Sequence, residues 1–232
     1  MAIKKHIPNA ITCLNLLSGC VAAIFAFQGD LIVAAWLVYL ASLFDFLDGF
    51  AARGLKAYSA IGKELDSLAD MVSFGFVPAL VVYQLIEQSL SVDFPFANYL
   101  SFTAFFLAVF SALRLAIFNL DDRQTSSFIG LPTPANGLFW VSIAAWLQFK
   151  DLLSLLHPGV LLVLVLFFSY LLVSSLPMYS LKIKSLSLKA NSLPLILVIS
   201  SILMVIAFGF LGVSLAIAFY IVSSFVVKIY NR

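Results

Sequence analysis

Apolar residues run through this chain in long stretches, and polar positions gather in the short gaps between them. A helix needs roughly 17–25 apolar residues to cross a bilayer. On that criterion the pattern predicts helices over residues 10–28, 30–50, 67–88, 97–119, 134–149, 159–177, 193–209 and 211–228. The fifth is short enough to be tilted or partly embedded. The last two are joined so tightly, at Gly209-Phe210-Leu211-Gly212, that they must form a hairpin. Pro95, Pro132, Pro134, Pro158, Pro177 and Pro194 mark other junctions. No repeat, low-complexity segment or soluble domain interrupts the pattern. The expectation is an all-α integral membrane protein of about eight transmembrane helices, with residues 1–232 forming a single membrane-embedded domain.

Composition agrees with the pattern. Hydrophobic residues make up 63% of the chain and charged residues 10%. A soluble domain covers its surface with roughly 25% charged residues, so lipid must be the solvent here. The net charge of +2 offers no argument for a nucleic-acid partner. The placement of the positive charges is more informative, because cytoplasmic loops carry the excess of Lys and Arg. With the N-terminus in the cytoplasm and sides alternating, Lys4, Lys5, Arg53, Lys56, Lys63, Arg114, Arg123, Lys182, Lys184, Lys189, Lys228 and Arg232 fall on the cytoplasmic side. Only Lys150 falls outside. Both termini are therefore expected in the cytoplasm, in a multi-pass protein of the cell membrane. The Lys182, Lys184 and Lys189 group reads as an anchor to anionic headgroups.

Targeting and sulfur chemistry add little. The apolar run after Met1–His6 ends in Phe27-Gln28-Gly29-Asp30 with no small-x-small cleavage site, so it reads as the first membrane helix. Cys13 and Cys20, about two turns apart on one helix, are too distant for a disulfide and read as small buried residues. His6 and His157 stand alone and read as solvated surface residues.

The acidic residues carry the chemistry. Asp30, Glu87, Asp93, Asp121, Asp122 and Asp151 fall at turns or loops and read as solvated charge. Asp45, Asp48, Glu64, Asp66 and Asp70 instead cluster around one cytoplasmic junction, at the end of the second helix and the start of the third. Asp45 and Asp48 are three apart, and Asp66 and Asp70 are four apart. Those spacings put each pair on one helix face, and a short loop turns the two helices toward each other. Four carboxylates then point into one space. Like charges at membrane depth must either protonate or share a cation, and an oxygen-only ligand set suits a hard divalent ion such as Mg²⁺, Mn²⁺ or Ca²⁺. Four are enough for two ions about 4 Å apart, a clamp for phosphoryl transfer. A polar wall along a water-filled passage is the bland alternative. Between the acids, Gly49, Ala51, Ala52 and Gly62 remove bulk, while Arg53 and Ser59 supply a cation and a hydroxyl suited to phosphate oxygens.

The stretch Asp45-x2-Asp48-Gly49-x2-Ala52-Arg53-x8-Gly62-x3-Asp66-x3-Asp70 resembles the signature of the CDP-alcohol phosphotransferases in full. The resemblance implies a homodimer of helical protomers with a cavity open to the cytoplasm and two divalent metals, Mg²⁺ or Mn²⁺. It implies that Asp45, Asp48, Asp66 and, in part, Asp70 hold the metals. Asn9, Thr12, Asp48, Gly49, Ala52, Arg53, Ser59, Gly62 and Asp66 would border the CDP moiety, and Asp70 would be the general base.

Which alcohol accepts the group is read from other segments. Pro8-Asn9-Ala10-Ile11-Thr12-Cys13-Leu14-Asn15 is similar to the phosphatidylserine synthase branch, with Asn15 where the glycerophosphate-transferring branch usually has Arg. Gly62–Gly75 and Gly130-Leu131-Pro132-Thr133-Pro134-Ala135 are similar to the same branch. Arg114-Leu115-Ala116-Ile117-Phe118-Asn119 resembles its Arg-Leu-Ala-Arg-Phe-Asn, with Ile117 replacing the second Arg. The substrates expected are CDP-diacylglycerol and serine, with Asn15, Arg114 and Asn119 at the acceptor and Arg114 facing its carboxylate. A snorkelling Arg at the interface is the plainer reading of Arg114. The resemblance covers about residues 6–135; helices over about 159–228 complete the domain. Rival readings are the same chemistry with glycerol 3-phosphate, inositol or choline, and a cation transporter using the four aspartates as its ion site.

Overall fold

The computed structural model describes residues 6–90, 97–121, 128–153, 156–178 and 192–230. Arg123, Lys182, Lys184, Lys189, Pro95, Asp93 and Asp122 lie outside the described residues. Helices dominate: α1 (His6–Phe27), α2 (Leu31–Leu55), α3 (Ala60–Asp70), α4 (Val77–Ser89), α5 (Ala97–Leu100), α6 (Phe106–Leu120), α7 (Thr133–Phe149), α8 (Pro158–Val173), α9 (Ser192–Phe208) and α10 (Phe210–Tyr230). A π-helical segment, Met71–Phe76, joins α3 to α4 in one continuous rod, and a 3₁₀ segment, Ser101–Phe105, leads into α6. By length and composition, His6–Phe27, Leu31–Leu55, Ala60–Ser89, Ser101–Leu120 and Phe210–Lys228 can each cross a membrane. The apolar helices Pro158–Val173 and Pro194–Phe208 are shorter.

The α3–α4 rod is the most enclosed of these spans, and the bundle is built around it. Phe74, Val77, Val81 and Leu85 are fully buried along it, against Leu107 of α6 and Trp140 and Val141 of α7. The α1–α2 hairpin closes through small residues, with Ala22, Ala26, Ala34, Ala35 and Ala41 all fully buried. Small side chains let helix backbones approach where lipid supplies no hydrophobic drive. At the tip Gly29 takes φ +82° and Asp30 caps α2, accepting from the Val33 amide at 3.1 Å. Gln148 fastens the tip to α7: its Nε2 donates to Gly29 O at 2.7 Å and its Oε1 accepts from the Ile32 amide at 3.0 Å.

The π turn has a local cause. Pro78 has no N–H for the Phe74 carbonyl, and its ring would crowd that carbonyl in a regular helix. Widening the turn just before it relieves the clash, and the Val77 amide bonds Val72 O instead. Gly137 of α7 sits on this segment. A Cβ added there would meet Phe74 Cα and Phe74 O at 2.9 Å.

Two boundaries that differ from expectation have a local cause. The third helix starts at Ala60, because Ser59 caps it by accepting from the Gly62 amide at 3.0 Å. The sixth ends at Val173 instead of 177, since the residue before Pro177 disfavours the helical region and Ser174 is already extended. The chain there pairs antiparallel in two short strands, β1 (Phe128–Ile129) with β2 (Pro177–Met178), the only strands among the described residues. The expected α9–α10 hairpin forms at Gly209, φ +57°, and a Cβ on Gly212 would lie 2.0 Å from Met204 O. Cys13 and Cys20 are exposed on the outer face of α1, not buried, as suits a chain that turns apolar residues toward lipid. His157 caps α8, its Nδ1 accepting from the Gly159 amide at 3.1 Å.

Gly137→Val is expected to lower stability by about 1–3 kcal/mol, the usual cost of overpacking. Thermal unfolding of the full chain in detergent reads it. An unchanged midpoint would mean that α7 does not seat on the π turn.

Candidate metal centre and cavity

Asp45 and Asp48 lie on one face of α2, and Asp66 faces them from the second turn of α3. One carboxylate oxygen from each falls within 4.8 Å of the others. Asp48 is buried, and Asp45 and Asp66 are partly so. Two carboxylates at such a separation repel by about 3 kcal/mol at an effective dielectric of about 20. Acids so close demand a shared proton or a shared cation. Asp66 Oδ1 is buried with no hydrogen-bond partner. A buried acceptor left open among acids fits a cation and not a further donor, and all-oxygen ligation fits a hard divalent ion. Residues and site are therefore compatible with divalent metal binding.

Asp70 stands one turn further along α3, outside the three-oxygen cluster although within electrostatic reach of all three acids. It is buried at 8% exposure and is held by Asn15, whose Nδ2 donates to Asp70 Oδ1 at 3.3 Å. Asn15 is fixed in turn: its Oδ1 accepts from Ser73 Oγ at 2.7 Å. Gly19 leaves the room for this, since a Cβ there would lie 2.3 Å from Ser73 Oγ. Thr12 Oγ1 donates to Asp48 Oδ2 at 2.6 Å, with Pro8 O as a second acceptor at 3.0 Å. Each helix of the pair thus has one aspartate steered from α1. Glu64 is exposed on α3 and takes no part.

Beside the triad lies an open cavity of about 230 Å³. Every residue placed at the CDP moiety from the sequence lines it: Asn9, Thr12, Asp48, Gly49, Ala52, Arg53, Ser59, Gly62 and Asp66. Arg53 lies back over Gly49, where a Cβ would stand 3.4 Å from its Nη1. Gly62 admits α1, because a Cβ there would meet Asn9 Oδ1 and Ser59 Oγ at 2.9 Å. Ala57, Tyr58 and Lys63 also line the cavity and were not anticipated. The signal available was positional: a short loop joining two helices that share a site must border it.

The three residues expected at the acceptor are not equivalent. Asn15 is buried and engaged at both ends of its amide. Asn119 is engaged by neighbours, its Nδ2 donating to Ser67 Oγ at 2.9 Å and its main-chain carbonyl accepting from Lys63 Nζ at 2.8 Å. Arg114 is 4% exposed, so it does not snorkel; its guanidinium lies 5.1 Å from the Phe118 ring centre, and its Nε has no hydrogen-bond partner.

An apolar helical bundle with converging carboxylates beside an open polar cavity defines a polytopic membrane protein with a candidate divalent-cation site. The chain belongs to the CDP-alcohol phosphatidyltransferase family, whose model matches residues 5–222. It is 34% identical over 140 residues to a protein of Bacillus subtilis named CDP-diacylglycerol–serine O-phosphatidyltransferase, covering 60% of this chain and 76% of that one. It is 36% identical over 135 residues to a protein of the same name from Methanocaldococcus jannaschii, covering 58% of each. It is 37% identical over 130 residues to the archaetidylserine synthase of Methanothermobacter thermautotrophicus, covering 55% of this chain and 53% of that one. The chain thus spans only just over half the length of the two archaeal relatives.

Asp45→Asn is expected to weaken Mn²⁺ binding about tenfold or more, since removing a charged ligand lowers affinity directly. Glu64→Gln should leave it unchanged. Electron paramagnetic resonance titration of free Mn²⁺ against the purified chain separates the two.

Proposed function

We propose that the protein transfers the phosphatidyl group of CDP-diacylglycerol to the hydroxyl of L-serine, giving phosphatidylserine and CMP. The observation that carries this reading is that Asp48 and Asp66 belong both to the carboxylate triad and to the cavity wall. A cation held by the one must touch whatever fills the other, and a nucleoside diphosphate is a ligand that needs both. The names of the relatives supply the donor and the acceptor.

Asp45, Asp48, Asp66 and, in part, Asp70 would hold two divalent ions, Mg²⁺ or Mn²⁺. When bound, such ions neutralise the diphosphate and stabilise charge developing on it. The chain's own residues do the rest. Arg53, and the amide dipoles at the start of α3 beside Ser59 and Gly62, face the diphosphate. Thr12 fixes the rotamer of Asp48, and Asn15 that of Asp70. Asp70 takes the proton of the serine hydroxyl as its oxygen attacks the lipid-side phosphorus. The new P–O bond forms as the bond to CMP breaks, and CMP leaves with the electron pair.

The membrane arrangement follows the charges. We place α1, α2, the α3–α4 rod, the α5–α6 segment and α7 to α10 as eight spans, with both termini and the cavity on the cytoplasmic side of the inner membrane. Of the 13 Lys and Arg only Lys150 then lies outside. We read the whole chain as one catalytic domain, and the family resemblance supports a homodimer among membrane lipids. A cation carrier would put its acids on discontinuous helices, whereas α2 runs unbroken through Asp45 and Asp48.

CMP release by the purified chain with CDP-diacylglycerol and Mn²⁺ or Mg²⁺ tests the reading. Serine is expected to stimulate release, and glycerol 3-phosphate, inositol and choline are not. Release with another of these alcohols would discard serine, and no release with any of them would discard the transferase. Asp70→Asn should keep CDP-diacylglycerol binding within about twofold and lose roughly 10²–10⁴-fold in turnover, the usual contribution of a general base. Near-normal turnover would remove Asp70 from that role.

A further inference from the structure

Several fully enclosed polar groups on α6 and α7 carry no hydrogen-bond partner. Arg114 Nε on α6, Thr133 Oγ1 on α7, and both Nδ2 and Oδ1 of Asn136 on α7 are all in this state. Their residues are 4%, 2% and 0% exposed. Buried side chains of this kind are satisfied in working proteins, by protein, by water or by a ligand. An Asn with both ends of its amide open is the least expected of them, because it forgoes donor and acceptor together.

Helix register puts these groups at one depth. Asn119 meets Ser67, and Ser111 packs on Gly75, so α6 runs antiparallel to the rod. Arg114 then lies level with the residues just after Asp70. Tyr39 of α2 pairs with Ser142 of α7, and Gln148 reaches the tip at Gly29 and Ile32, so α7 runs antiparallel to α2 and parallel to the rod. Gly137 packs on Phe74. Counting back, Asn136 is level with Ser73 and Thr133 with Asp70. Thr133 and Asn136 are three apart, on the face of α7 that carries Gly137.

We infer that Arg114, Thr133 and Asn136 form an amino-acid subsite beside Asp70, in which Asn136 recognises the ammonium group. The inference rests on the serine-transfer reading. A hydroxy amino acid presents a carboxylate, an ammonium and a hydroxyl. Arg114 matches the first as a fixed cation, and Asp70 takes the proton of the third. Asn136 Oδ1 is the neutral acceptor for the ammonium, and its Nδ2, with Thr133, is left to donate to the carboxylate. Asn15 and Asn119, already engaged, are positioning residues for Asp70 and for the α3–α6 contact.

The test uses the full chain in detergent micelles, with CMP release measured against serine and against 3-hydroxypropionate, which lacks the ammonium. Wild type should prefer serine strongly. Asn136→Leu should raise the KM for serine about tenfold or more, the usual scale for a hydrogen bond to a charged group. It should also cut the serine to 3-hydroxypropionate ratio of kcat/KM about tenfold, and leave the KM for CDP-diacylglycerol unchanged. Asn136→Asp keeps an acceptor for the ammonium and should stay within about threefold of wild type in that ratio. Thr133→Val should raise the serine KM less than Asn136→Leu does. If Asn136 only filled space, Leu would be tolerated and Asp would be the damaging change; that order, or an unchanged serine KM in Asn136→Leu, overturns the subsite. Should Asn136→Leu fail to fold, loss of serine preference in Asn136→Asp overturns it equally. Wild type that releases CMP only with another alcohol, or with none, shows instead that the serine-transfer reading has failed, and the subsite falls with it.

Discussion

Three carboxylates drawn to within 4.8 Å inside an apolar bundle repel one another, and the local architecture answers that repulsion. Asp48 receives a hydroxyl from Thr12, and Asp70 receives an amide from Asn15. Both come from α1, which must lie close against α2 and α3 to deliver them. Asp66 keeps a buried oxygen with no donor at all. Donors have been supplied at the edges of the cluster and withheld at its centre, the pattern expected where a cation completes the charge balance.

That constraint explains where side chains are missing. Gly19 and Gly62 stand where α1 meets the rod: a Cβ on Gly19 would strike Ser73 Oγ, which holds Asn15, and one on Gly62 would strike Asn9 Oδ1 and Ser59 Oγ at the cavity wall. Gly137 plays the same part for α7 against the π turn. The turn follows Asp70 directly, so the Pro78 that widens it also sets the helix phase on which Ser73, and through it Asn15, depends. Packing and charge are joined here: the helices approach closely because the site requires reach from one to the next.

The site was legible in the sequence where it depends on spacing within a helix. Asp45 and Asp48, or Asp66 and Asp70, share a face by arithmetic, and the glycines between them announce close approach. The helical spans were legible for the same reason, because apolar runs record membrane thickness directly. Features that depend on contact between distant segments were not. Nothing in Pro177-Met178 announces pairing with Phe128-Ile129. Asn15 and Asn119 looked open as ligands because hydrogen bonds to Ser73 and Ser67 arise only once the bundle forms. Asn136 drew no notice in an apolar helix, although an amide flanked by Ala135 and Gly137 is a polar group with nowhere local to go.

The placement of Asp70 bears on a problem that any such transferase faces. An activated phosphoryl donor in an open site is exposed to water, and transfer to a small alcohol must outrun hydrolysis. The described cavity reaches Asp66 and does not include Asp70 among its walls. Asp70 is buried one turn further along the rod, at the depth that helix register gives the enclosed polar groups of α6 and α7. A base so placed is shielded from bulk water on the nucleotide side. In the proposed reaction it accepts a proton from an acceptor hydroxyl that has already displaced water from around it. Occupancy by the acceptor then becomes a condition for activating a nucleophile, and selectivity for the alcohol over water arises from burial of the base and not from its strength.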